Sequence, residues 1–318
     1  DWSSDVCSSD LWFVVLIAII IIGFIGYFIY DTNKDNVTAK TTNNEQVVAS
    51  INKDDITADD LYDESTPYDG STIYNMYKNA VIDQSIKTTK DLKKQASTLE
   101  SNIKSNASNQ SDDYESTLTT ELAKYGYASY EELNDYCLTS VKEKEMNKKY
   151  ITKHFDEVKK AWEEKSPRTV SIIKMDVSDA DNLTETETKK KSNIDKALEK
   201  ESFADVAKAF SEDSNTANKN GFAGYVDSNS TSSDSSSTST VPADVVTAAI
   251  GLKKGETSDW ITVTSSSGTS LYKVYVKETN SKKIFNAKSD TVSNQALYAI
   301  LNSDSSLSYK ILDSYAKN

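Results

Sequence analysis

Phe203, Val206, Ala207 and Phe210 fall at i, i+3, i+4 and i+7 within residues 202–214, the spacing of one apolar stripe on a short helix. Ser202 and Asp205 stand three apart at its start, where a hydroxyl and a carboxylate cap the first helical turn. A helix this short is stable only against a partner surface, so the surrounding chain must supply one. After it come a polar turn, Gly221-Phe-Ala-Gly-Tyr225, and farther on Ala248-Ala-Ile-Gly-Leu-Lys-Lys-Gly-Glu. Alternation over residues 169–177 predicts a strand, and residues 194–201 and 202–210 predict helices. Residues 259–264 and 270–276 predict a hairpin turning across residues 265–268, with Ile261, Val263, Val274 and Val276 facing inward. The order β-α-α-(α)-β-β describes an α+β unit over residues 167–280.

What precedes that unit reads as helical. Met76, Tyr77, Ala80 and Val81 share one helical face, and Leu92, Ala96, Leu99 and Ile103 repeat the spacing. Leu118 and Leu122 continue it to Gly126, a C′ residue, and Ser129 with Glu132 forms a capping box that restarts the chain. Leu133, Cys137, Val141, Tyr150, His154 and Val158 carry the register to Trp162, and Pro167 closes this part. Earlier still, a short apolar strand over residues 47–51 and a polar turn lead to a helix opening at Thr57. After residue 280, Ile284, Leu297, Ala299 and Leu301 resume a helical pattern, and residues 307–315 add a final segment.

The N-terminal part differs in character. Residues 11–30 form an uncharged apolar run of about 20 residues, enough to cross a hydrocarbon core of about 30 Å, and predict a single transmembrane helix. Residues 1–10 are read as a non-native scar and excluded from fold reasoning. Cys7 lies before the apolar run, and no small-residue cleavage site stands before Asp31, so an uncleaved anchor is expected. Residues 31–45 read as a linker. Residues 228–240 are nearly all Ser and Thr with almost no apolar side chain, which predicts a mobile loop.

Charge and rare residues narrow the function classes. The 318-residue chain carries a net charge of −13, which argues against nucleic acid as a partner because phosphate binding needs a basic face. Two cysteines leave no room for a disulfide framework, and Cys137 on an apolar stripe reads as buried. His154, the single histidine, has no Cys or second His to complete a metal site and reads as structural. Residues 176–182 hold several Asp but lack the central Gly and distant Glu of a calcium loop, so they read as an acidic turn. No metal and no cofactor is expected.

The three stretches around Phe203, Gly221 and Ala248 together resemble the parvulin family of peptidyl-prolyl isomerases. Its members carry F-x-x-x-A-x-x-x-S-x-D, then G-x-x-G-aromatic, then A-hydrophobic-x-L-x-x-G-E in this order. Residues 47–62 are similar to the start of foldases of the PrsA and SurA type, with Lys53 where that family has Gly. The resemblance implies an α+β parvulin-like domain inserted into a mainly helical chaperone domain, residues 46–166, which residues 281–318 return to complete. Position by position it places Asp213 on the family's central Asp/Cys, Ser171 on the first-strand histidine and Tyr272 on the last-strand histidine. These are the implied catalytic residues, a polar network in place of the histidine pair. Val241 and Val245 fall on the Met and Phe of the proline pocket and, with Tyr225, are the implied substrate-binding residues.

What the resemblance implies is a foldase anchored in a bacterial cell membrane, its bulk extracytoplasmic. Its partners would be unfolded or newly secreted polypeptides, and the membrane through the N-terminal helix; a homodimer stays open. Two alternatives remain on the sequence: an active peptidyl-prolyl isomerase with an atypical site, and an adhesin-like surface protein that recognises one ligand.

Overall fold

The computed structural model describes residues 41–42, 45–51, 54–57, 71–231 and 241–317. The expected scar, transmembrane helix and most of the linker lie outside the described residues, as does most of the Ser/Thr-rich tract. Among the described residues, no helix is long and apolar enough to cross a membrane.

The described residues divide into two compact units, one up to Tyr74 and one from Asn75 onward. In the first, β1 (Thr41–Thr42), β2 (Glu45–Ile51) and β3 (Asp54–Thr57) form an antiparallel sheet in that order. Thr57 therefore ends a strand, where a helix start is expected from the sequence. Ile56 and Thr57 are β-branched and pair back onto Ala49 and Val47, and that ladder outweighs the capping signal.

In the second unit, helices that precede and follow a four-stranded sheet in the chain share one core. These are α1 (Ser71–Ser85), α2 (Lys90–Ser108), α3 (Tyr114–Ala123), α4 (Leu133–Lys153) and α5 (Phe155–Glu163), then α10 (Ser281–Phe285), α11 (Asp290–Ser303) and α12 (Leu307–Ala316). Ile82, Leu92, Leu133, Ile151 and Trp162 pack with Ile284, Leu297, Ile300, Leu307 and Ile311. Each such side chain contributes about 1.5–3 kcal/mol by leaving water. The capping box of Ser129 and Glu132 forms, and Gly126 takes the left-handed conformation (φ 84°) expected after α3.

The inner face of α1 is not the one its apolar spacing indicates. Met76 and Tyr77 are 56% and 53% exposed, while Val81 and Ile82 are buried, as is Ile86 just beyond the helix. The face turned inward carries polar residues: Asn75 Nδ2 donates to Lys124 O at 2.9 Å and Asn79 Nδ2 to Tyr125 O at 2.8 Å. Lys78 pairs with Glu143 at 3.3 Å. The asparagines satisfy carbonyls at the end of α3, so hydrogen bonding acts beside the burial of Val81 and Ile82 in setting this helix's rotation. The register from Leu133 to Trp162 also breaks once, at His154, between α4 and α5. Cys137 is fully buried, and that burial pushes its thiol up to about 11.

The sheet is built from β4 (Arg168–Val177), β5 (Phe222–Val226), β6 (Ile261–Ser265) and β7 (Gly268–Glu278) in the order β5-β4-β7-β6, every neighbour antiparallel. β5 was not expected as a strand: its sequence Phe-Ala-Gly-Tyr-Val holds two small residues and reads as a turn motif. Helices α6 (Glu185–Leu198) and α7 (Phe203–Phe210) cover one face over Ile173, Met175 and Leu271, burying Ile194, Phe203, Val206 and Ala207. Helix α9 (Ala243–Gly251) covers the other face over Val170, Ile172, Val274 and Val276. The four expected inward residues of the hairpin all belong to this second face, Val274 and Val276 fully buried and Ile261 and Val263 partly.

Arg168 locks α9 in place. Its guanidinium donates to Ala249 O and, at 2.9 Å, to Leu252 O at the end of that helix, and to Ser166 O at 3.0 Å. A cation at a helix C-terminus meets the negative end of the dipole, although burial pulls the Arg168 pKa down.

At the start of α6, the Glu187 carboxylate accepts from Thr184 N and Ser178 N, each at 2.7 Å. These bonds, the Thr184 hydroxyl's foremost, hold the Glu187 pKa down at about 2 against an ordinary 4.5. A carboxyl depressed in the folded state contributes stability above its unfolded pKa and loses it as pH falls through the folded one. Stability measured from pH 5 down to pH 2, both bounds being approximate, is therefore expected to fall less steeply in Glu187→Gln than in the parent chain. Equal slopes in a denaturant titration series would refute this role for Glu187.

Candidate active site

Four-residue helix α8 (Ser214–Ala217) and the segment before it bring Asp213 to the sheet. Beyond the end of β5, residues 211–212 take over the edge of β4: Lys174 N donates to Ser211 Oγ at 3.1 Å, and Glu212 N to Lys174 O at 2.9 Å. Asp213 then caps α8, accepting from Asn215 N at 3.2 Å and from the Thr216 hydroxyl at 2.7 Å. The turn closes at Gly221, whose carbonyl accepts from Ile172 N at 2.8 Å.

Strand register then sorts the candidate residues. On the face covered by α9, Lys174 stands opposite Tyr272, and Tyr272 opposite Ile261; in the next row Asp176, Ser270 and Val263 follow in the same way. These six positions form a small lattice, polar on β4 and β7 and apolar on β6. Lys174 Nζ lies 2.8 Å from Asp176 Oδ1, which also accepts from the Ser270 hydroxyl at 2.7 Å. The hydrogen bond to Asp176 raises the Lys174 pKa, with Tyr272 and Asp213 adding smaller effects. Burial works against the Asp176 charge, but Lys174 and Ser270 outweigh it and hold its carboxyl low. Burial also raises the Tyr272 phenol, which feels Lys174, Asp213 and Asp176.

Of the residues implied to be catalytic, Asp213 and Tyr272 are thus brought to one electrostatic neighbourhood, and Ser171 is not. Ser171 stands opposite Tyr275 and alternates onto the face with Ile173 and Met175, away from Tyr272. A strand's period of two separates positions an odd number of residues apart, so Lys174, three residues on, holds the place across from Tyr272. Lys174, Asp176 and Ser270 are missed by motif matching because none lies on a motif position. Their common face is legible only once the β4–β7 register is known.

The implied substrate-binding residues lie inward. Val241, just before α9, and Val245, on its inner side, are buried in the core between that helix and the sheet and present almost no surface. The partly exposed apolar groups beside Tyr272 are Ile261 and Val263. Tyr225 is buried against the helical core, where Trp162 Nε1 donates to its hydroxyl at 2.8 Å and that hydroxyl donates to Asp227 Oδ2 at 2.6 Å. Burial drives the Tyr225 phenol pKa upward. Asp227 Oδ1 in turn accepts from Asn229 N at 3.0 Å and Ser230 N at 3.1 Å, so Tyr225 ties the sheet to α5 and to the turn that begins the Ser/Thr tract.

His154 stacks on Tyr150 at 4.4 Å and meets Glu157 at 3.2 Å. The acidic turn is held internally, with Asp179 accepting from Asp181 N at 2.9 Å and Asn182 Nδ2 at 3.0 Å. Among the described residues, no group of three or more His, Cys, Asp and Glu is placed to hold a metal ion.

Such a face can bind an extended apolar segment against Ile261 and Val263 while presenting hydroxyl and ammonium donors to its amides.

Comparison with known proteins places this stretch. Residues 172–275 match the rotamase family model, the PPIC-type PPIASE domain. The chain is similar to the crystal structure of PrsA from Bacillus subtilis, with 20% identity, 86% of this chain and 93% of that chain covered, and a TM-score of 0.40. It is likewise similar to foldase protein PrsA from Streptococcus pneumoniae, with 21% identity, 85% and 92% coverage and a TM-score of 0.35. A structure of SurA-like chaperones from Campylobacter jejuni shares 15% identity over 80% of this chain and 94% of that one, at a TM-score of 0.25. No curated protein matches the sequence.

Proposed function

We propose that this chain, which carries a parvulin-type domain over residues 172–275, is a foldase that binds unfolded polypeptides and assists rotation about their X–Pro bonds. The family match over the sheet and its helices carries this reading. Met76, Tyr77 and Tyr125, all more than 40% exposed, support the binding part, because thioether and aromatic side chains adapt to many apolar partners. Met76 and Tyr125 flank Gly126, whose Cβ position is 2.6 Å from Met76 Cγ, so they present one patch. The apolar run over residues 11–30 would anchor the protein in a membrane, and the acidic, cysteine-poor remainder suits an extracytoplasmic location.

Rotation of an X–Pro bond meets a barrier of about 18–20 kcal/mol because the amide is conjugated. In the twisted state the prolyl nitrogen recovers its lone pair and becomes a hydrogen-bond acceptor. A donor placed beside it favours the twisted over the planar amide, and an apolar wall for the ring holds the substrate. The polar side of the lattice supplies donors, and Ile261 with Val263 supplies the wall.

With the full chain, spontaneous aggregation of several chemically unrelated unfolded clients is expected to slow at stoichiometric ratios. NMR exchange spectroscopy on short X–Pro peptides is expected to show faster cis–trans exchange, reduced in Asp213→Ala. Suppression without exchange would leave a chaperone lacking isomerase activity. Neither effect, in a folded protein that binds a single ligand, would replace this reading with that of an adhesin-like surface protein.

A further inference from the structure

We propose that Lys174, which no motif of the sequence singles out, is the catalytic donor of the site, its ammonium facing the substrate amide while Asp176 and Ser270 position it. The inference rests on the isomerase reading above and names the group that performs it.

The Ser270 hydroxyl is engaged by Asp176 at 2.7 Å, and exposure decides between the other two donors of the lattice, Tyr272 and Lys174. Tyr272 is buried, retaining 9% of its surface. The Lys174 side chain is only partly buried, and its flexible four-carbon stem lets the ammonium turn toward a ligand lying across the sheet. An ammonium carries three N–H groups, and Asp176 engages one at 2.8 Å. The acids nearby, Asp176, Asp213 and Glu212, can only accept hydrogen bonds when ionised, and Glu212 is paired with Lys190. They cannot serve a prolyl nitrogen that needs a donor.

Geometry sets the direction of approach. Lys174, Tyr272 and Ile261 form one row across β4, β7 and β6. A proline ring resting on Ile261 and Val263 directs its imide bond along that row toward β4. The chain Ser270 hydroxyl to Asp176 to Lys174 keeps the ammonium from swinging into solvent, at 2.7 and 2.8 Å. No bond is made or broken in the step. The ammonium donates a hydrogen bond to the nitrogen while the amide is twisted and withdraws it as conjugation returns.

The test compares Lys174→Met, Lys174→Arg, Asp176→Asn and Tyr272→Phe in the full chain, each first shown to retain the parent's amide NMR spectrum away from the site. Exchange of an X–Pro peptide gives kcat and KM, and line broadening of its proline resonances gives binding. A lost charge-assisted donor should lower kcat/KM in Lys174→Met by roughly tenfold to a hundredfold, mainly in kcat. Lys174→Arg should recover much of it, and Asp176→Asn should lower kcat with KM held. Tyr272→Phe should fall less than Lys174→Met. Unchanged kcat/KM in Lys174→Met, or a larger loss in Tyr272→Phe, overturns the assignment. If the parent chain gives no exchange at all, the isomerase reading fails. Weaker line broadening in Lys174→Met would then still support Lys174 as the ligand contact, and unchanged broadening would overturn it.

Discussion

Trp162→Ala is expected to destabilise the second unit by about 3–5 kcal/mol, the usual cost of removing a fully buried large aromatic side chain. Trp162 has no exposed surface, stacks on Tyr225 at 6.4 Å between ring centroids and donates its indole N–H to the Tyr225 hydroxyl at 2.8 Å. Its removal opens a cavity where α5 meets β5 and leaves Tyr225 with one partner fewer. A chain of this size should lose on the order of 10 °C in thermal midpoint. The companion change Tyr225→Phe keeps ring volume but strips both the Trp162 indole and Asp227 Oδ2 of a partner, at about 1–3 kcal/mol for each group left unsatisfied. Chemical denaturation of the two variants distinguishes cavity from hydrogen bond. If Trp162→Ala moves the midpoint no more than an ordinary surface change, the tie between helical core and sheet is not where the stability lies.

Gly221→Ala should cost about 2–4 kcal/mol, combining a left-handed backbone with overpacking. Gly221 has φ 77°, and a Cβ there would lie 2.5 Å from the Ala207 Cβ and 2.8 Å from the Ile172 carbonyl oxygen. The second of these is backbone in the middle of β4 and cannot give way cheaply. Gly255→Ala separates the two contributions, because Gly255 has φ 87° but nothing within 4 Å of its Cβ position. It should show the backbone strain alone, about 1 kcal/mol. Because the turn that Gly221 closes also carries Asp213 to the sheet, Gly221→Ala should impair X–Pro exchange beyond its effect on stability. Equal stability losses at Gly221 and Gly255 would show that the close approach of the turn to β4 is not required.

Sequence periodicity located most helices and three strands of the sheet, because burial on one face leaves a period of 3.6 or 2 that single residues report. The stripe Phe203, Val206 and Ala207 is buried as its spacing implies, and the Ser129 capping box is local enough to be read directly. In α1 the apolar spacing places Met76 and Tyr77 inward, whereas the inward face carries Asn75, Lys78 and Asn79, whose partners are carbonyls and a carboxylate 46 to 65 residues away. Apolar spacing has no means of reporting that. β5 was missed for the opposite reason, since its strand character comes from pairing with β4 rather than from its own residues.

The motif order alone, around Phe203, Gly221 and Ala248, pointed to the α+β domain whose residues 172–275 match the rotamase family model, because each motif encodes a local turn, cap or helix contact. The site was decided only by tertiary structure. Sequence matching placed Ser171 beside Tyr272, but the alternation of β4 turns Ser171 to the opposite face and puts Lys174 across from Tyr272. Likewise Val241 and Val245 keep the apolar character of a pocket yet are buried between α9 and the sheet, leaving Ile261 and Val263 only partly covered. Which side of a sheet a residue faces depends on the register between strands some hundred residues apart, and a one-residue difference reverses it.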